Sequence, residues 1–223
     1  MANALNLNLK HDLLKFREML FAEYKRKIFW SVLLNVFFIY SYKFTETHLF
    51  FPVTALTPGL IDQILIFNHN WTIIYLSLFI FLGFGSFSLS TLKDFNHYLY
   101  LFAGVYSTAL FIFFFFPTQI TRPNSEVNNF LYNELIKNDL PYNAFPSLHA
   151  SFCIITCFVF FRNSKSLYFK NIYRTFIVIW AALILFSILK IKQHYLIDIV
   201  GGIVNAIIWI WVIYFCFRKE NRV

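Results

Sequence analysis

His194 and Asp198 stand four residues apart at the head of one apolar run, and Pro146-Ser147-Leu148-His149 opens another. Ionisable groups in segments apolar enough to enter a bilayer are costly, so their presence there asks for a function. The residue types suit phosphoryl transfer. On a helix His194 and Asp198 would share a face. A carboxylate accepting from one ring nitrogen would then fix the tautomer and leave the other nitrogen free to attack phosphorus. Pro146 is favoured in the first turn of a helix. Ser147 and the free N–H groups beside it make an anion site there. His149, just inside, is placed to protonate a leaving oxygen. Arg122 can grip two phosphate oxygens with its planar fork, and Lys192, two residues before His194, offers a point charge.

Each of these residues also has a plainer reading. His194 and Asp198 could be a polar pair joining helices, and Ser147 an ordinary helix cap beside a hydrogen-bonded His149. Lys192 and Lys190 could be snorkelling at an interface, and Arg122 an exposed loop charge. The two clusters occurring together are what favours chemistry.

The elements that must position these residues are membrane spans. Of 223 residues 59% are hydrophobic, 31 are phenylalanine and only 13% are charged, against about a quarter in soluble domains. The expected fold is all-α: a polytopic helical bundle of about six transmembrane helices, at residues 28–42, 71–89, 98–116, 144–161, 175–189 and 195–217. About 20 apolar residues cross the hydrocarbon core, so the spans at 28–42 and 175–189 look short. Residues 6–27 carry apolar positions every three to four residues among basic ones, which predicts an amphipathic interfacial helix; a partly disordered basic tail is the alternative. Acidic Asp12, Glu18 and Glu23 exclude a secretory signal. The chain therefore divides into an amphipathic segment at 1–27, a single membrane domain at 28–217 and a short tail at 218–223.

Lys and Arg flank the apolar runs rather than forming a patch, so the net charge of +8 reads as topology and nucleic acid is not an expected partner. With the N-terminus in the cytoplasm, fourteen basic residues fall inside. Only Lys43, Arg122, Lys137, Lys190 and Lys192 fall outside, as the positive-inside rule requires. Both termini are then cytoplasmic, a bacterial inner membrane is the expected setting, and both polar clusters and Arg122 meet at the outer interface. Cys153, Cys157 and Cys216 lie inside apolar runs and give no disulfide framework. No finger-like spacing suggests zinc.

The motifs resemble those of the type 2 phosphatidic acid phosphatase superfamily: Lys-x6-Arg-Pro, Pro-Ser-x-His and Ser-Arg-x5-His-x3-Asp. The second stands here as Pro146-Ser147-Leu148-His149, and the third keeps Ser187, His194 and Asp198 at the family spacing. The first survives as Arg122-Pro123. The resemblance implies His194 as the nucleophile of a phosphohistidine, Asp198 as its orienting partner and His149 as general acid. It implies Arg122 and Ser147 as phosphate ligands, with no metal or other cofactor required. The family's lysine falls at Phe115 and its second arginine at Ile188, so two phosphate cations are missing, and Lys192 is the candidate substitute for one. Phe116-Pro117-Thr118, Phe145-Pro146-Ser147-Leu148-His149 and Lys192-Gln193-His194-Tyr195 more closely resemble the inositol phosphorylceramide synthase-like (inositolphosphotransferase) branch.

The expectation is an integral membrane phosphatase or phosphotransferase whose partner is a phosphorylated lipid. The rival is a transporter or scaffold. That reading predicts ionisable groups spread through the bilayer depth, whereas here they gather at one interface. A soluble haloperoxidase, also in this superfamily, is excluded by composition.

Overall fold

The computed structural model describes residues 2–123 and 127–218, with side chains over 4–123 and 127–213. The chain is all-α apart from one two-residue strand pair. Helices α1 (Ala2–Phe21) and α2 (Tyr24–Thr47) are followed by strand β1 (Thr54–Ala55), the short α3 (Leu60–Ile64) and a 3-10 turn at His69–Trp71. Then come α4 (Thr72–Phe87), α5 (Leu92–Phe115), β2 (Thr118–Gln119), α6 (Phe130–Asn138), α7 (Leu148–Asn163), α8 (Lys170–Lys190) and α9 (Leu196–Arg218).

Six helices correspond in order to the six expected spans, but their lengths differ from expectation. The helices α2 and α8 run 24 and 21 residues, so neither is short. Basic residues at their ends are absorbed instead of stopping the helix: Lys27 is buried in α2, and its Nζ donates to Met19 O at 2.7 Å and Leu89 O at 2.6 Å. Among the described residues five helices are long and apolar enough to cross a membrane. The short one is α7, whose 16 residues span about 24 Å at 1.5 Å per residue. Its start is set by Ser147, whose Oγ accepts from Ala150 N at 3.4 Å as N-cap. Pro146 therefore precedes the helix and is not in its first turn.

A short α7 is tolerated because it is the central helix, packed against α4, α5, α8 and α9. On one side Cys153 and Phe160 join Phe81 of α4 and Ile184 and Ile188 of α8. On the other, Phe152 and Ile155 join Leu101 and Val105 of α5 and Ala206 of α9. The outer helices turn Val36, Phe37, Ile80, Ile179, Ile207 and Trp211 outward, a surface solvated by lipid rather than water.

The N-terminal segment forms a helix, so the disordered alternative does not hold. It ends at Phe21, earlier than the expected Lys27, and the chain reverses at Glu23 (φ 52°), leaving Lys25, Arg26 and Lys27 in α2. Helix α1 is also tied to the bundle. Asp12 is fully buried and accepts from Tyr168 N at 2.7 Å and Phe169 N at 3.0 Å. Burial raises its carboxyl pKa, but these two donors together with hydrogen bonds from His11 and Tyr173 outweigh that and hold it below the usual value. Lys219 and Arg222, and the expected tail after Arg218, lie outside the described residues.

One end of the bundle carries all the loops that matter for the site. There β1 pairs in parallel with β2, Thr54 opposite Thr118, and Ile120 N donates to Pro141 O at 3.1 Å. The starts of α7 and α9 lie close together at this end. A Cβ on Gly202 would come within 2.2 Å of Ser147 O, and one on Gly201 would meet the Phe145 ring. Only glycine permits that approach.

Candidate active site

The turn between α8 and α9 is built by helix termination. Lys192 adopts φ 56°, its N–H donates to Leu189 O, and Gln193 N donates to Ile188 O at 3.0 Å. This closes α8 with a left-handed cap and presents Gln193 and His194 before α9 begins at Leu196. His194 is therefore not helical, contrary to the shared-face expectation, although it still meets Asp198. Asp198 sits in the first turn of α9, where Oδ2 accepts Tyr195 N at 2.8 Å and lies 3.5 Å from His194 Nδ1. Its backbone oxygen accepts Ser147 N at 2.9 Å, locking α9 to the entrance of α7. Asp198 is fully buried and His194 nearly so.

Across this junction His149 Nδ1 lies 3.2 Å from His194 Nε2, and His149 Nε2 lies 2.7 Å from the hydroxyl of Tyr75 on α4. Tyr75, His149, His194 and Asp198 thus form one continuous line drawn from three helices and a turn. A single direction of proton donation satisfies it. Tyr75 donates to His149 Nε2, His149 Nδ1–H to His194 Nε2, and His194 Nδ1–H faces the carboxylate. Long contacts such as the last are common in unliganded sites.

Arg122 reaches the same place from the loop after β2. Its Nη2 donates to Asp139 Oδ2 at 3.0 Å, to Leu140 O at 3.2 Å and to Gln193 Oε1 at 2.5 Å, and Nη1 donates to Asp139 O. Asp139 is the only acidic residue between Glu134 and Asp198, and it anchors the guanidinium. Among the described residues, Arg122 Nε, Gln193 Nε2, Tyr132 Oη and His194 Nδ1 are buried without hydrogen-bond partners. Groups of this kind are rare in folded proteins and mark places where a ligand or water belongs.

The remaining expected residues are placed differently. Ser147 is fully buried, with Oγ engaged in capping and N–H given to Asp198. Lys192 Nζ donates to Asp62 O at 2.5 Å and Leu65 O at 2.6 Å, latching the α3 loop. Burial lowers its pKa, opposed by the Asp62 carboxylate. Neither motif departure is rescued by geometry. Phe115 packs on Phe51 and Phe111, with ring centroids 5.3 and 4.7 Å away, and Ile188 is wholly inside the core. Among the described residues no three His, Cys, Asp or Glu side chains form a group able to hold a metal.

Tyr75 and Asp139 escaped the sequence reading. Tyr75 is one of 13 tyrosines in a chain rich in aromatics, and nothing local distinguishes it. Asp139 did carry a signal, as a lone acid a few residues before Pro146.

A family model described as the PAP2 superfamily matches residues 107–222, a stretch that takes in Arg122, His149, Gln193, His194 and Asp198. No curated protein and no solved structure matches the chain. The matched segment is more than half of the 223 residues, and with its apolar helices the chain is a multi-pass membrane protein that belongs to the PAP2 superfamily, a group of phosphatases and phosphotransferases that includes membrane lipid phosphatases.

Proposed function

We propose that this protein transfers or hydrolyses the phosphoryl group of a membrane lipid through a phosphohistidine on His194, at the outer face of the membrane. The observation that carries this reading is the line Tyr75–His149–His194–Asp198, with unpartnered N–H donors beside it. A lipid phosphate enters between the two histidines. His194 Nε2 attacks phosphorus, forming the N–P bond as the bond to the leaving oxygen breaks. Asp198 holds Nδ1–H and stabilises the charge that develops on the ring. His149, protonated on both nitrogens in the substrate complex, passes its Nδ1 proton to the leaving oxygen. Tyr75 serves both protonation states, because a hydroxyl can donate to a bare Nε2 or accept from Nε2–H.

The deprotonated His149 Nδ1 then activates water or a second alcohol, which attacks phosphorus, breaks the N–P bond and regenerates His194. Water makes the enzyme a phosphatase and an alcohol makes it a phosphotransferase. The resemblance of Lys192-Gln193-His194-Tyr195 and its companion segments to the inositol phosphorylceramide synthase-like branch supports transfer. All steps use side chains of this chain, so purified protein should turn over in excess chelator. The test is a panel of phosphorylated lipids assayed with EDTA for both free phosphate and new phospholipid. Turnover is expected for at least one lipid, and turnover that vanished with EDTA and returned with a divalent ion would contradict the reading.

A further inference from the structure

Gln193 is 2% exposed and precedes His194 directly. Its amide oxygen accepts from Arg122 Nη2 at 2.5 Å. A guanidinium can only donate, so this contact fixes the amide's orientation, with oxygen toward the arginine and Nε2 away from it. Among the described residues Nε2 is then buried with no partner, and so is Nε of Arg122. A buried donor left empty is costly, and two belonging to residues already in contact point to one shared acceptor. Gln193 directly precedes His194 in the turn fixed by the α8 cap, so an acceptor shared by these two donors belongs to the candidate site.

The charges around this spot are few. Phe115 and Ile188 stand where the family carries cations, Lys192 is committed to two carbonyl groups, and Arg122 is paired with Asp139. The chain thus lacks two of the family's cations and has two N–H donors unused among the described residues.

We propose that Gln193 is a direct ligand of the transferred phosphoryl group. Its Nε2 donates to a non-bridging oxygen that Arg122 Nε also holds, and this neutral amide takes over the work of a missing cation. The proposal rests on the phosphohistidine reading above. It assigns Gln193 a double role: Oε1 aligns Arg122, and Nε2 meets the substrate.

The isosteric variant Gln193→Glu separates these roles. A carboxylate keeps, and strengthens, the oxygen contact to Arg122, but sets a second oxygen against the phosphoryl group. Full-length protein in detergent is titrated calorimetrically with orthovanadate, a mimic of the pentacoordinate phosphoryl group, and melting temperature reports folding. The expected result is wild-type binding that weakens by about 30-fold or more in Gln193→Glu. Vanadate affinity within about threefold of wild type in folded Gln193→Glu would overturn the role of Nε2. If that variant does not fold, Gln193→Met decides, since Arg122 keeps Asp139 and Leu140 as acceptors: a loss of about tenfold supports the proposal and unchanged affinity overturns it. A wild-type protein that bound no vanadate would overturn the phosphoryl-transfer reading together with the assignment. Binding by wild type and equal binding by both variants would remove Gln193 alone.

Discussion

At the scale of single residues, the site depends on which nitrogen of each histidine is held and which is free. Tyr75 fixes His149 Nε2, so Nδ1 is the nitrogen that faces His194 and, in the proposed mechanism, the substrate. Tyr75→Phe retains the ring in its packed position and removes only this hydrogen bond. It should lower kcat by about tenfold, leave KM within about twofold, and shift the pH dependence of kcat, because His149 loses the partner that accommodates both its protonation states. Unchanged kcat with an unchanged pH profile would show that the hydroxyl only fills space. His149, His194 and Asp198 were legible in the sequence because charge inside apolar segments is expensive and needs a cause. Tyr75 was not, because a tyrosine in a span is ordinary and only the packing of α4 on α7 gives it a partner. Lys192 was misleading for the opposite reason. A lysine two residues before the proposed nucleophile suggests phosphate, but the left-handed turn at that residue accompanies a side chain bound to the α3 loop.

At the scale of elements, hydrophobic runs located the helices and end chemistry set their limits. The six runs each correspond in order to a helix, five of them long and apolar enough to span among the described residues, yet the apparent short spans were α2 and α8 and the true one is α7. A lysine such as Lys27 can continue a helix when backbone carbonyls receive it, and a serine cap can begin one later than its hydropathy suggests. The contact of α9 on the start of α7 is where helix packing becomes the geometry of the candidate site. Gly202→Ala places a methyl 2.2 Å from Ser147 O, so the two helices must separate and carry His194 away from His149. Overpacking of this kind costs about 1–3 kcal/mol, and a displacement of about 1 Å can cost 100-fold in rate. Gly202→Ala should therefore lower both melting temperature and kcat. Gly83→Ala, where a Cβ meets nothing within 4 Å, should alter neither. Equal behaviour of the two variants would mean the α7–α9 contact does not set the site.

At the scale of the whole molecule, composition alone identified a chain solvated by lipid, and the outward faces of α2, α4, α8 and α9 agree with it. The convergence of Arg122, His149 and His194 at one end of the bundle was legible from alternating spans, because an even number of crossings separates them, none from Arg122 to His149 and two from His149 to His194. What the sequence could not supply was the cover over that end, where Asp139, Gln193 and the β1–β2 pair enclose Arg122 through contacts remote in the chain. In the proposed orientation, which follows the bias of basic residues, this end faces outward. Asn138, exposed at the end of α6, gives a direct check: Asn138→Cys should react with a membrane-impermeant thiol reagent on intact cells, and labelling only after lysis would invert the topology.

The central claim is a covalent bond between His194 and phosphorus, and rapid quenching of the protein with a lipid labelled at its phosphate tests it most directly. The account predicts a phosphoenzyme that survives alkali, decays in acid, maps to the peptide containing His194, and is absent in His194→Ala. Full turnover by His194→Ala, or label recovered on another residue, would contradict it.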